Sequence, residues 1–443
     1  MAEYISILGA GLAGSEAAWQ AAQRGVKVRL YEMKPIKYTP AHHAPTFGEL
    51  VCSNSLRSDA PSNAVGLLKE EMRAMGSLIM QAADATRVPA GSALAVDRVL
   101  FSEYITNHIR NHPNIEVIEA ECECLPDDGI TVIATGPLTS EPMARFIREE
   151  LGCGGLHFFD AAAPIVDAES INMDVAFFAS RYDKGDADYI NCPMTREQYD
   201  AFYQALITAE EAALKEFDRE QQKDLTVFEG CMPVEVMARR GYDTLRYGPL
   251  KPVGLIDPRV GKESYAVVQL RKENKEGTMY NLVGFQTHLT FPEQRRVFRM
   301  IPGLENAEFL RYGVMHRNTY LSSPGLLGAD YAMLERPNVY FAGQMTGVEG
   351  YVESAGSGLV AGINAARRAK GLDPLILPRT TMIGAMALYV QNGSVGAFTP
   401  MNANFGIIQM PQKKVKGGKA ARNAVIAQTA ISTIQQLLPE INA

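Results

Sequence analysis

Apolar and polar positions change rhythm repeatedly in the opening segment of the chain. Tyr4–Leu8 is a short apolar run, as expected of a strand covered on both faces. Gly9–Gly14 interrupts it with glycines. Ser15–Arg24 follows in a helical rhythm, and Gly25 supplies the residue that commonly closes a helix. Val26–Tyr31 is a second apolar strand. The order strand, glycine turn, helix, strand predicts a βαβ unit.

Further along, Lys34–Glu49 is polar and contains proline, and Asn63–Ala85 reads as one helix. Ile130–Ala134 predicts a strand that ends at Thr135-Gly136-Pro137. From about residue 160 the pattern changes. Ala266–Leu270 and Asn281–Gln286 predict an antiparallel hairpin about Lys275-Glu276-Gly277. Val339–Ala342 restores the earlier pattern and is followed by a helix over Ser357–Lys370. The predicted fold class is α/β: a Rossmann-like domain from residues 1–160 and 320–443, with an inserted α+β domain over 160–320.

Composition narrows the class. The chain has 443 residues, 47% hydrophobic and 21% charged, which suits a globular protein of two or three domains. No apolar run reaches the roughly 18 residues of a membrane span, and the N-terminus enters a strand directly instead of showing a leader pattern. A cytoplasmic setting is expected. The six cysteines have neither CxxC spacing nor zinc-finger histidines, so free thiols and no metal site are expected. A net charge of −7 excludes a simple basic nucleic-acid coat, and any RNA contact must then rest on local clusters.

Gly9-Ala10-Gly11-Leu12-Ala13-Gly14 is a GxGxxG turn in the required context. It follows a strand, opens a helix, and is answered by Glu32 at the end of the next strand, about 20 residues on. Gly9 permits the tight turn, Gly11 lets backbone approach a pyrophosphate, and Gly14 lets helix meet strand. The helix N-terminus favours the phosphate charge. Glu32 accepts from ribose hydroxyls and disfavours a 2′-phosphate, so FAD or NAD fits. Thr131–Gly136 resembles the ATG motif of glutathione-reductase-like flavoproteins, with Thr135 and Gly136 at its end. Val339–Gly343 resembles their late flavin-contacting strand. Together these favour FAD, and the lack of a second GxGxxG implies that NADPH or NADH docks only transiently.

Longer blocks are more specific. Residues 9–18, 51–56, 87–91, 93–98, 191–195, 251–259, 314–320 and 347–354 resemble the TrmFO family of folate- and FAD-dependent tRNA (uracil-5-)-methyltransferases. The resemblance fades after about residue 400. The MnmG family shares the N-terminal half of the pattern but is much longer. What the resemblance implies is transfer of a one-carbon unit from 5,10-methylenetetrahydrofolate to C5 of a T-loop uridine in tRNA, with reduced FAD supplying electrons. The partners are then tRNA and folate, and the enzyme acts as a monomer or homodimer. The alternatives are the same chemistry on ribosomal RNA, a MnmG-like wobble-uridine enzyme, and a flavin-binding redox protein without transferase activity.

C5 of uracil is a poor nucleophile until a thiolate adds at C6, and a base must then remove the C5 proton. Cys52, in Val-Cys-Ser-Asn-Ser with Arg57 nearby, and Cys231, followed by Arg239 and Arg240, match the family's cysteine pair. Cys52 is assigned as nucleophile and Cys231 as base. Cys122, Cys124 and Cys153 are read as structural. Tyr351 is expected to stack on the isoalloxazine or on a substrate ring, with packing as the equal alternative. Phe291 stands where the family pattern has tryptophan. Glu349 and Glu353 either touch flavin or folate or face solvent. Arg239, Arg240, Arg246 and Lys251 form the cluster expected to meet tRNA phosphates. Arg295, Arg296 and Arg299 form a second cluster, and the run from Lys413 to Arg422 a third.

Overall fold

The computed structural model describes residues 4–39, 41–126, 129–153, 155–161, 163–183, 186–212, 232–273, 277–313, 315–393, 398, 400–411 and 415–443. Its first sheet is parallel and five-stranded, in the order Val339–Phe341, Ile130–Ile133, Ile5–Leu8, Val28–Glu32, Ile115–Glu119. Ile5–Leu8 and Ile130–Ile133 are buried at every position, as central strands covered by helices must be. The expected α/β class and glycine-turn βαβ unit are therefore observed.

The helix after the glycine turn begins inside the motif, at Leu12, and runs to Gln23, with Gly25 at a φ of +77° just beyond it. It packs on a long late helix, Tyr351–Ala369. A Cβ at Gly362 would meet the Ala17 carbonyl oxygen at 2.5 Å, and one at Gly358 would collide with the Ala13 backbone. The absence of both side chains is what lets these helices lie so close. The late helix starts six residues before the predicted Ser357, because its first turn, Tyr351–Ser354, follows glycines and shows little apolar rhythm.

The single helix expected over Asn63–Ala85 is two. Ala64–Ala74 ends at Gly76, whose φ is +73°, and Ser77 caps Leu78–Ala85 with its side chain. Two buried glutamates act as remote helix caps. Glu16 accepts from the backbone of Leu78 and Ile79 at 3.3 and 2.9 Å, and Glu71 accepts from Met382 and Ile383 at 2.7 and 2.8 Å. Each places a carboxylate at the positive end of a helix dipole. Burial nevertheless pushes both carboxyls above their usual range, Glu71 to about 8.

A second sheet is antiparallel throughout and six-stranded. Its order is Phe177–Ala179, Tyr189–Met194, Ala266–Lys272, Met279–Leu282, Ile165–Asp167, Phe309–Arg311. The hairpin partner predicted over Asn281–Gln286 ends at Leu282, because Gly284 turns the chain with a φ of +76°. This sheet has its own hydrophobic core, drawn from residues between Ala163 and Phe309, separate from the core shared by the N- and C-terminal segments. Strands Gly155–Ala161 and Met315–Leu321 pair antiparallel where the chain passes between these two bodies.

The last helix, Gly418–Ile441, returns to the parallel sheet's layer. Arg24 donates to the Ile441 carbonyl at 2.8 Å, Arg367 to that of Glu440 at 2.8 Å, and Lys370 to that of Ala443 at 2.6 Å. Cations at a helix C-terminus satisfy carbonyls that no further turn can reach. Among the described residues no helix is long and apolar enough to cross a membrane.

Candidate active site: a flavin cleft with a thiol at its rim

A large cleft opens at the carboxyl ends of the parallel strands, where ligands bind in open α/β sheets. Gly9, Gly11, Leu12, Ala13, Glu32, Thr135, Gly136, Gly343 and Tyr351 all line it, and so does Cys52. Ala10 and Gly14 lie behind this lining. A Cβ at Gly9 would stand 2.7 Å from the Ala134 carbonyl oxygen, and one at Gly14 would collide with the Gly9 carbonyl. A Cβ at Gly11 would meet nothing within 4 Å. The helix behind it has no side-chain cap, so its N-terminal amides face open space. That combination fits a pyrophosphate.

Glu32 is buried and oriented. Its two carboxylate oxygens accept from the backbone N–H groups of Ala10 and Lys34 at 2.7 and 3.0 Å, which leaves lone pairs for ribose hydroxyls. Lys34 in turn donates to the carbonyls of Ala44 and Thr46 at 3.2 and 2.5 Å and tethers the loop that borders the cleft. The Thr135 hydroxyl bonds that of Thr139 at 2.7 Å, and Thr139 donates to the Gly136 carbonyl at 2.7 Å. Gly343, at a φ of +87°, donates its N–H to Ser357 at 2.7 Å, and Gly350 leads into the late helix without a side-chain cap. The donors, glycines and acid therefore fit FAD along the whole cleft.

Cys52 sits at the inner rim. The Tyr351 hydroxyl lies 3.1 Å from its sulfur and accepts from the backbone N–H of Cys52 at 2.7 Å and of Ser53 at 3.3 Å. Tyr351 lines the cleft, and its hydroxyl fastens the cysteine loop. Burial pushes the phenol well above its usual range, so it stays a proton donor.

Arg57 does not point its charge at Cys52. It is ion-paired with Glu353, which is fully buried and also accepts from the Ala403 N–H at 2.9 Å. Glu349 is buried too and accepts from Gln344 at 3.1 Å. Neither carboxylate faces solvent, which removes that alternative.

Cys231 lies outside the described residues, as do Lys413 and Lys414. Burial pushes the thiols of Cys122 and Cys153 up to about 11 and that of Cys192 to about 12, consistent with inert neutral thiols. Among the described residues no cluster of His, Cys, Asp and Glu could hold a metal ion.

The cluster expected to meet phosphates is on the second body. Arg239 and Arg240 are exposed at a helix end, but Arg239 is paired with Glu211. Arg246 is paired with Asp243 at 2.6 Å and lies 3.8 Å above the Tyr265 ring. Lys251 is half-buried. Phe291 is exposed and stacks on Tyr312 with centroids 4.7 Å apart, and Phe309 stacks on the same tyrosine.

Sequence reasoning missed the residues that surround the thiol. Arg98 donates to the carbonyls of Leu50 and Val51 at 2.6 and 3.3 Å, and Arg271 donates to Ser53 and Asn54 at 2.7 and 3.0 Å. Arg98 closes a family-like block, and Arg271 is a charged residue inside an apolar strand. Both were visible signals.

A parallel sheet with a glycine-turn βαβ unit, an acid at the second strand and a late glycine-lined helix over one cleft defines a glutathione-reductase-type flavoprotein. The family described as Glucose inhibited division protein A matches residues 4–373. A protein of Acetivibrio thermocellus called methylenetetrahydrofolate--tRNA-(uracil-5-)-methyltransferase TrmFO is 60% identical over 98% of this chain and 99% of its own length. The same-named protein of Bacillus pumilus is 56% identical over 99% of both. The chain belongs to the TrmFO branch of this family. Aquifex aeolicus GidA shares the fold, with a TM-score of 0.72 at 19% identity, covering 99% of this chain and 73% of the GidA chain.

Proposed function

We propose that this protein methylates C5 of a tRNA uridine, with 5,10-methylenetetrahydrofolate as carbon donor and FAD as its bound cofactor. The observation that carries the reading is Cys52, fastened by the Tyr351 hydroxyl, on the rim of a cleft fitted to FAD. The identity to the Acetivibrio and Bacillus enzymes supports the substrate class.

In this reading the Cys52 thiolate adds to C6 of a uridine flipped into the cleft. The C6–S bond pushes the ring electrons to C5 and O4, and C5 attacks the folate-borne methylene. Cys231 takes the C5 proton as the methylene's bond to the folate nitrogen breaks, which releases tetrahydrofolate and leaves an exocyclic methylene at C5; once a hydride has reached that carbon, the C6–S bond breaks and the aromatic ring returns. FAD held by the glycine turn and Glu32, once reduced by NADPH or NADH, would supply that hydride and so complete the methyl group. Tyr351 and the backbone around Cys52 keep the sulfur at the cleft. The T-loop is the proposed location of the uridine, residues 160–320 the proposed RNA-facing insertion, and the cytoplasm the proposed compartment.

The test uses an unmodified tRNA transcript, NADPH and methylenetetrahydrofolate labelled in its methylene carbon. Labelled 5-methyluridine in the digested tRNA, lost with Cys52→Ala and with Cys231→Ala, is the expected result. Label appearing only on a ribosomal RNA transcript, or persisting in Cys52→Ala, overturns the reading at the substrate or at the residue respectively.

A further inference from the structure

The loop that carries Cys52 is held from both bodies of the molecule. On one side Arg98, at the start of a helix in the flavin-binding body, grips the carbonyls of Leu50 and Val51. On the other side Arg271, on the central antiparallel strand Ala266–Lys272, grips Ser53 and Asn54. Asn54 donates back to the Lys272 carbonyl at 2.9 Å and to that of Val96 at 3.0 Å. Glu273, two residues beyond Arg271, closes the ring: its carboxylate takes the Nε–H of Arg98 at 2.5 Å, with the Glu273 side chain only 1% exposed. Each residue from Leu50 to Asn54 is thus fixed by a side chain remote in sequence.

The charges around this loop are unbalanced without the thiolate. Arg98, Arg271 and Arg311 act on the site from the helix, the central strand and the edge strand, and Glu273 and Glu49 oppose them. Tyr351 adds a neutral donor. One Nη of Arg98 and one of Arg311 are buried without a hydrogen-bond partner among the described residues. Glu49 is itself ion-paired with Lys34 at 3.6 Å, so Arg98, Arg271 and Arg311 face one uncommitted carboxylate, and charge held away from water is costly unless an anion completes it. Ionised, the Cys52 sulfur would supply that anion.

We propose that Arg98 and Arg271, coupled through Glu273, are positioning residues for Cys52, holding its loop at the cleft and keeping its sulfur as the thiolate. The proposal rests on Cys52 being the reactive thiol, and assigns no contact with substrate to either arginine. It makes the antiparallel body part of the thiol's activation: without the strand end at Arg271–Glu273, the cysteine loop loses one of its two grips.

The test reads the sulfur itself. FAD-loaded protein is treated with iodoacetamide across a pH series, and carbamidomethylation of the Cys52 peptide is followed by mass spectrometry, because only the thiolate reacts. In Arg271→Met and Arg98→Met the midpoint should rise by about one pH unit, slowing alkylation about tenfold at pH values below the wild-type midpoint. Arg271→Lys should restore most of the midpoint, and Glu273→Gln, which removes an opposing charge, should shift it the other way. An unchanged midpoint in Arg271→Met that still binds flavin overturns the proposal. If the Met variants fail to bind flavin, Glu273→Gln decides: a lowered midpoint supports the proposal and no shift overturns it. Loss of methylation in Cys52→Ala tests the catalytic reading separately, because alkylation of Cys52 does not depend on turnover.

Discussion

Gly11 and Gly14 occupy one turn and answer to different constraints. At Gly14 a Cβ would run into the Gly9 carbonyl, whereas at Gly11 it would enter open cleft with ordinary backbone angles, φ −71°. Gly11→Val should therefore leave the melting temperature of the flavin-free protein unchanged while lowering flavin occupancy. Gly14→Ala should lower both, with overpacking costing about 1–3 kcal/mol. Visible flavin absorbance per mole of protein and thermal melting of the stripped protein distinguish the two. A shared loss of melting temperature would show that Gly11 is structural. The same contrast marks what was readable at this scale. The glycine turn and Glu32 were legible because dinucleotide chemistry ties them to fixed spacing. Glu353 and Arg57 were not, since a carboxylate in a glycine-rich segment carries no sign of the arginine that will meet it some 300 residues away in sequence.

At the level of elements, the two buried glutamates are the most exposed to pH. Glu71 caps the helix Met382–Asn392, yet desolvation raises its carboxyl from the usual 4.5 to about 8. A group whose folded-state affinity for protons is raised stabilises the fold fully below its unfolded value and loses that contribution as pH climbs. Stability supplied through Glu71 should thus decline between pH 4.5 and pH 8. Glu71→Gln keeps a neutral acceptor, so its melting temperature should gain on wild type across that window, measured by scanning calorimetry at several pH values. A difference that stays constant with pH would mean the carboxylate is ionised throughout. Helix boundaries were the least legible feature at this scale. The break at Gly76 was hidden within a continuous amphipathic rhythm, and the start at Tyr351 was hidden because its first turn, Tyr351–Ser354, follows a glycine and carries little apolar periodicity.

Across the whole molecule, charge is spent locally. The proposed phosphate cluster illustrates this, because Arg239 and Arg246 already face Glu211 and Asp243 while Arg240 is exposed. Arg240→Ala should weaken tRNA binding and reduce the slope of log affinity against log salt by about one. Arg239→Ala should do less, because Glu211 already neutralises that guanidinium. Equal effects of the two substitutions in a filter-binding salt series would place both arginines on phosphates. Class and cofactor were readable at this scale because the βαβ rhythm and the long family-like blocks run through most of the chain. The grip of the antiparallel body on the cysteine loop was not, because it depends on where one strand end docks, which no local pattern encodes.

The parallel sheet also has an order in time. Its edge strand Val339–Phe341 and the glycine-lined helix Tyr351–Ala369 are made long after the βαβ turn they complete. While the ribosome is still extending the chain, the glycine turn has emerged but its cradle lacks a wall. The antiparallel body, whose strands all fall between Ile165 and Arg311, is finished first and can fold on its own pairings. The flavin cradle is therefore completed late in synthesis, after both the βαβ turn and the antiparallel body have been made.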